Sequence, residues 1–114
     1  MVYSIKEVIA RVESLPELKD KFVFDHFTNV PKLPFAAYLY NYNTSGADDY
    51  NGVQYIDFRL ELYTEKRDIE LEQKLLQLFA DVEISQDCDY LDSERMYMST
   101  FNFTFPQKIT NRKD

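Results

Sequence analysis

Between Val53 and Asp68 the chain reads VQYIDFRLELYTEKRD. Ile56, Phe58, Leu60 and Leu62 alternate with Asp57, Arg59 and Glu61. A period of two marks a strand with one apolar and one polar face. The pattern therefore demands a sheet with a dry side. It leaves open whether the second side meets water, a substrate or another protein. Val53 and Tyr55 share one phase and Ile56 to Leu62 the other, so a bulge or early twist near Tyr55 is expected.

The segments around this strand supply the rest of a small domain. Ser4 with Glu7 forms a capping-box pattern, and Ile5, Val8, Ile9 and Val12 recur at helical spacing. A helix is expected over 4–14, stopped by Pro16. FVFDHF, from Phe22 to Phe27, reads as a short strand, and Pro31 and Pro34 bracket a turn. FAAYLYNY, from Phe35 to Tyr42, reads as a second strand, with Phe35, Ala37 and Leu39 on one face and Tyr38, Tyr40 and Tyr42 on the other. The polar stretch Asn43 to Gly52 is a hairpin loop longer than a tight turn needs.

Asp68 can cap a second helix with the stripe Leu71, Leu75, Leu78, Phe79 and Val82, supported by a Glu70–Lys74 pair. Asp81 to Glu94 carries six acids and no Lys or Arg, and reads as a loop with at most one short strand. RMYMSTFNFTF, from Arg95 to Phe105, is the last strand, ended by Pro106. The order is helix, strand, strand, strand, helix, strand. This predicts an α+β fold with two helices packed on one face of a four-stranded, mainly antiparallel sheet. Residues 1–107 form the single expected domain, and 108–114, with Lys108, Arg112 and Lys113, a flexible basic tail.

Two helices can cover one sheet face but not both. The covered face is expected to take Ile56, Phe58, Leu60, Leu62, Phe35, Ala37 and Leu39. Tyr38, Tyr40, Tyr42, Asp57, Arg59 and Glu61 are left on the other. Met96 and Met98, or else Tyr97, Phe101 and Phe103, join that open side. A solvated face is one reading, since antiparallel sheets often wet one side. The chain has nine Tyr, nine Phe and no Trp, and rows of Tyr with Arg are characteristic of protein interfaces. The expectation is that neighbouring subunits cover this face.

The chemical groups available restrict the alternatives. The formal net charge of -7 argues against gripping nucleic acid through its phosphates, though not against DNA passing nearby. A single cysteine, Cys88, excludes an intramolecular disulfide, and no apolar run approaches the ~20 residues of a membrane span. The opening residues lack a secretory pattern, so the chain reads as soluble and of a reducing compartment. His26 and Cys88 are the only residues of their kinds, and nothing in their spacing suggests a nucleophilic pair. Asp25 is expected on the strand face opposite His26. Asp87, Asp89 and Asp92 fail the calcium-loop pattern, because Asp92 and Met98 stand where a Gly and a Glu are required. Gly46 and Gly52 stand alone, so there is no phosphate-cradling loop. No cofactor, metal or catalytic residue is expected. A carboxylate hydrolase remains an alternative, on a chain small for a substrate cleft.

PKLPFAAYLY, GADDYNGVQY, IDFRLELYTEKRDIELEQKLLQLF and SERMYMSTFNF follow one another in this order. From Pro31 to Phe105 the chain resembles the small tail-terminator, or tail-completion, proteins of long-tailed bacteriophages and prophages of Gram-positive bacteria. The most specific segments are LELYTEKRDIELEQKL and SERMYMSTFNF. The resemblance implies an α+β structural protein of the virion neck, made in the host cytoplasm. It implies a ring, commonly a hexamer, on the head-proximal end of the tail tube. Its partners would be other copies of itself, the major tail tube protein and a head-completion or connector protein, with DNA passing through unbound and no membrane involved. Asp57, Arg59 and Glu61 with Tyr38 and Tyr40 are the expected subunit patch. Asp48, Asp49 and Tyr50 are the expected contact loop to a neighbour or the tube. Another neck or adaptor component, and a general α+β protein-binding module, are the competing readings.

Overall fold

The computed structural model of the chain describes residues 4–43 and 53–108. The loop holding Asp48, Asp49 and Tyr50 and the tail from 109 onward lie outside the described residues. The fold is α+β, with two helices and a mixed sheet of five strands. In chain order these are α1 (Ile5–Glu13), β1 (Phe22–Phe24), β2 (Phe35–Asn43), β3 (Val53–Thr64), α2 (Ile69–Leu78), β4 (Ser85–Leu91) and β5 (Met96–Lys108). The strand order across the sheet is β1-β2-β3-β5-β4. Every neighbouring pair is antiparallel except β1 with β2.

Both helices begin where the sequence places their caps. Ser4 Oγ accepts from the Glu7 N–H at 3.1 Å, and Asp68 Oδ1 accepts from the Leu71 N–H at 3.0 Å. The reciprocal half of the capping box is replaced, because the Glu7 carboxylate takes Arg11 Nη2 at 3.2 Å. Arg11 also donates through Nη1 to the Leu78 carbonyl at 2.9 Å and lies 5.8 Å from the centre of the Phe79 ring. A cation at the carbonyl end of α2 complements the helix dipole and ties the two helices together. Lys74 does not pair with Glu70 as expected. It reaches Glu17 at 2.7 Å, which holds that carboxyl below its usual range and raises the lysine.

β3 lies in the middle with partners along its whole length. Ile56, Phe58, Leu60 and Leu62 point to the helices and are buried. Residues opposite one another in antiparallel strands share a face, so the register assigns every other strand. Phe58 stands opposite Phe103, Leu60 opposite Phe101 and Ile56 opposite Phe105. Val8 and Val12 of α1 and Leu71 and Leu75 of α2 close the same core. Phe58 lies within 6.2 Å, centre to centre, of the Tyr38, Phe103 and Phe105 rings.

Four expectations are corrected here. The acidic stretch contains β4, which pairs with β5 from Ser85 opposite Asn102 to Leu91 opposite Met96, so the sheet has five strands and not four. Polar and apolar residues alternate weakly there, and the acids obscured the period. No bulge interrupts β3 near Tyr55, since its pairing with β5 is one-to-one from Val53 to Thr64; Tyr55 shares the face of Asp57 and is exposed. β1 ends at Phe24, because Asp25 takes a positive φ of 67°. β5 continues through Pro106 to Lys108. Among the described residues its outer side has no neighbouring strand beyond Asn102, so a proline there need break no ladder bond.

The parallel pairing of β1 and β2 has a geometric consequence. A chain leaving β1 must travel back along the sheet before β2 can start. Residues 25–34 do so on the face away from the helices, where Phe27 packs edge-on against Phe35 at 5.5 Å. One end of that face is thus partly covered within the subunit.

Phe58→Ala is expected to cost about 3–5 kcal/mol of stability, the range for a large buried aromatic. Ser4→Ala is expected to cost about 1 kcal/mol, as for a lost helix cap. Urea unfolding followed by circular dichroism separates the two.

Candidate functional site

The face away from the helices is a set of cross-strand rows. Asn41, Asp57 and Thr104 form one; Leu39, Arg59, Asn102 and Ser85 the next; Ala37, Glu61, Thr100 and Asp87 the third; Phe35, Tyr63, Met98 and Asp89 the fourth. The polar groups are linked to each other. Thr104 Oγ1 donates to Asp57 Oδ1 at 2.7 Å, Arg59 Nε to Glu61 Oε2 at 2.8 Å and the Tyr63 hydroxyl to Glu61 Oε1 at 2.7 Å. Asp57 and Arg59 remain exposed, whereas Glu61 is half-buried. A surface pair of this kind adds at most about 1 kcal/mol to stability, so its geometry bears more on what the face can bind.

This face changes character along the strands. A groove of about 640 Å³ is lined by Asn41, Asp57, Arg59, Ser85, Asn102 and Thr104, with Glu83 and Ile84 at its side. At the other end, under residues 25–34, a hollow of about 360 Å³ is lined mainly by Phe27, Val30, Phe35, Ala37, Leu91 and Met96, with Asp25, His26, Tyr63 and Glu94 also on its wall. Partial burial, together with the bond to Glu61, pushes the Tyr63 hydroxyl above the usual phenolic range.

The expected subunit patch divides between the two faces. Asp57, Arg59 and Glu61 share the open face as predicted. Tyr38 and Tyr40 do not: they stand opposite Leu60 and Phe58, on the helix side. Phe35, Ala37 and Leu39 occupy the open face instead. Both phases of β2 are apolar, so its alternation alone could not orient it, and the partner's register decided. Met96 and Met98 take the open side, and Tyr97, Phe101 and Phe103 the helix side.

The displaced tyrosines form a feature of their own. At the β1–β2 margin of the sheet, Phe22, Tyr38, Phe24, Tyr40 and Tyr42 make a continuous ladder of rings with centres 4.8 to 6.4 Å apart. Phe22 is buried, but Phe24 is 51% and Tyr42 55% exposed. Burial raises the hydroxyls of Tyr38 and Tyr40 above their usual value. The sequence signal that finds the ladder is the shared spacing of two in Phe22-x-Phe24 and Tyr38-x-Tyr40-x-Tyr42.

The remaining candidates do not assemble a reactive centre. His26 Nδ1 lies 3.0 Å from Asp25 Oδ2, contrary to the expected opposite faces, because the strand has ended before Asp25. Both are exposed, and Cys88 lies in β4, its thiol 3.4 Å from Ser99 Oγ, which can accept from the S–H. Beside it is an unforeseen buried carboxylate. Glu72 of α2, 2% exposed, accepts from Ser99 Oγ at 2.9 Å, Gln86 Nε2 at 2.8 Å and the Arg67 guanidinium at 3.3 Å. Glu72 in turn raises Arg67. The carboxylate is buried and satisfied, with the exposed Arg67 reaching it from the solvent side, which fits an anchor for α2 rather than a reactive group. Among the described residues no group of three metal-binding side chains occurs, and no helix is long and apolar enough to cross a membrane. No protein-family model matches the chain, and no curated protein matches its sequence.

Folding holds the proton on Tyr63, so this group's contribution to stability is complete below its unfolded value near 10 and is lost as pH rises through its higher folded value. Stability measured by urea unfolding from about pH 8 to 11 is expected to fall at the alkaline end, and less steeply in Tyr63→Phe.

Proposed function

We propose that this chain is a ring-forming structural protein of a phage or prophage tail, of the tail-terminator kind. In this reading it ends growth of the tail tube at the head-proximal end and offers the surface to which the head attaches. The observation that carries the reading is the open middle of the sheet, with Asp57 and Arg59 exposed on a face that no helix among the described residues covers. The order and character of the segments from Pro31 to Phe105 support it. So does the charge of -7, which suits a wall along which DNA slides without being held.

A closed ring of identical subunits needs two different patches that match each other. Asp57 and Arg59 on the open face and the aromatic ladder of the helix face are unlike in chemistry and lie on opposite sides of one sheet, so a subunit offers its neighbours different surfaces. Tyr, Phe and Arg are residue types that dominate the energetics of protein contacts. The ring is assigned as a hexamer by the resemblance. Its partners would be the tail tube protein and a connector of the head, with Asp48, Asp49 and Tyr50 as the contact loop. The protein acts in the virion neck after synthesis in the host cytoplasm, and it needs no catalytic residue or cofactor for this role.

Arg59→Glu is expected to weaken ring assembly and leave the monomer folded, since Arg59 is exposed and its bond to Glu61 is a surface pair. Light scattering with far-ultraviolet circular dichroism reads both, and an unchanged oligomer mass removes Arg59 from the contact. Deleting the gene from its phage is expected to give long, unterminated tails in electron micrographs. Tails of normal length without heads would instead favour a neck or adaptor component.

A further inference from the structure

The outer margin of β2 is only half occupied. β1 pairs with Ala36, Ala37 and Tyr38 and goes no further. Along this margin the Ala36 N–H donates to the Lys21 carbonyl at 2.9 Å, and the Tyr38 carbonyl accepts from the Asp25 N–H at 2.8 Å. The even-numbered residues of β2 therefore aim their backbone groups outward, and the odd-numbered ones toward β3. By the same alternation Tyr40 and Tyr42 present an N–H and a carbonyl each at a margin where, among the described residues, no strand lies.

Natural proteins protect such margins with charge, proline, a bulge or a covering loop. Leu39, Tyr40, Asn41 and Tyr42 provide neither charge nor proline, and the exposed rings of Phe24 and Tyr42 lie along the same margin. The opposite margin of the sheet is different. Among the described residues β4 has no strand on its outer side; it carries Asp87 and Asp89 on the open face and presents Tyr90, 48% exposed, on the helix face. Two β4 strands laid together would set aspartate against aspartate, which opposes pairing. Against β2 the same aspartates meet Leu39 and Asn41, with the exposed Arg59 one strand behind, while Tyr90 meets the tyrosine ladder.

From this we infer that β4 of a second copy adds to the free part of β2, continuing one sheet from subunit to subunit. The inference rests on the ring reading and names its seam: a neutral, aromatic margin receives an acidic one. Each copy uses one margin of each kind, so the contact is head-to-tail and closes into a ring when its rotation allows. The strand seam alone is short against the ~1,200–2,000 Å² of a stable interface, and the aromatic ladder with Tyr90 supplies the remaining contact.

The test compares dilute and concentrated protein by light scattering and by amide hydrogen exchange. The Tyr40 and Tyr42 amides are expected to slow by about tenfold or more as oligomer forms, which is the mark of a bond made on assembly. Tyr42→Pro removes an outward N–H and leaves the β2–β3 bonds in place; it is expected to stay monomeric with an unchanged circular dichroism spectrum. Tyr90→Pro reads the other side of the seam if Tyr42→Pro fails to fold. The Arg95 N–H donates to the Leu91 carbonyl, so Leu91 faces β5 and Tyr90 faces outward. An oligomer that survives in the folded proline variants overturns the seam, as do Tyr40 and Tyr42 amides that stay fast while mass rises. A wild-type chain still monomeric at about 1 mM overturns it too. The tail-terminator reading is judged apart from all of these, by tail length in the deletion mutant.

Discussion

The packing of Phe58 at the centre of β3 is the contact on which the rest of the structure depends. Its ring meets Tyr38 from one neighbouring strand and Phe103 and Phe105 from the other. A period-two strand offers two ways up, and a shift of one residue would turn Asp57, Arg59 and Glu61 into the core. Burying those charges would cost far more than the apolar groups return. The alternation of β3 thus fixes its own orientation, and pairing on both sides passes that choice to β2 and β5. The helices then need only supply an apolar stripe each.

The sequence made the strongly patterned parts legible. Ser4 and Asp68 announced the helix starts because their side chains satisfy backbone donors that nothing else reaches. The two faces of β3 were readable because its odd and even positions differ in kind. β2 and β5 were not readable in this way, because both phases of each contain apolar residues. Only the register, a property of pairs of strands, could orient them. The same limit explains the divided interaction patch: Arg59 and Tyr40 lie on opposite faces, and nothing in the alternation of β2 alone tells them apart. β4 was hidden by its acids, since Asp87 and Asp89 lie on a solvated face and disguise the pairing beneath. The Glu72 cluster was hidden too, because its donors come from segments distant in the chain.

The two sides of the sheet do different work. On the helix side, burial is complete at the centre and thins along β1 from the buried Phe22 to the exposed Phe24. On the other side, residues 25–34 shelter an apolar hollow and leave a polar groove open beyond it. That loop exists because β1 runs parallel to β2 and the chain must return. A connection forced by topology therefore decides how much of the second face is available, and it leaves exposed the rows that carry Asp57 and Arg59. The proposed assembly uses what remains: a charged face, an aromatic margin and an acidic margin on one rigid layer.

Glu72 has a consequence for how accurately that layer is built. A helix held by leucines alone can roll slightly without losing much contact, because apolar packing has little directional demand. A carboxylate receiving donors from β4, β5 and the segment before α2 tolerates no such roll. It acts as a keyway: α2 cannot slip about its axis without stranding a buried negative charge. Since Gln86 hangs from β4, the acidic margin is indexed to the helix and hence to the core. Its aspartates are thereby presented at a fixed pitch, an accuracy that a free surface strand would lack.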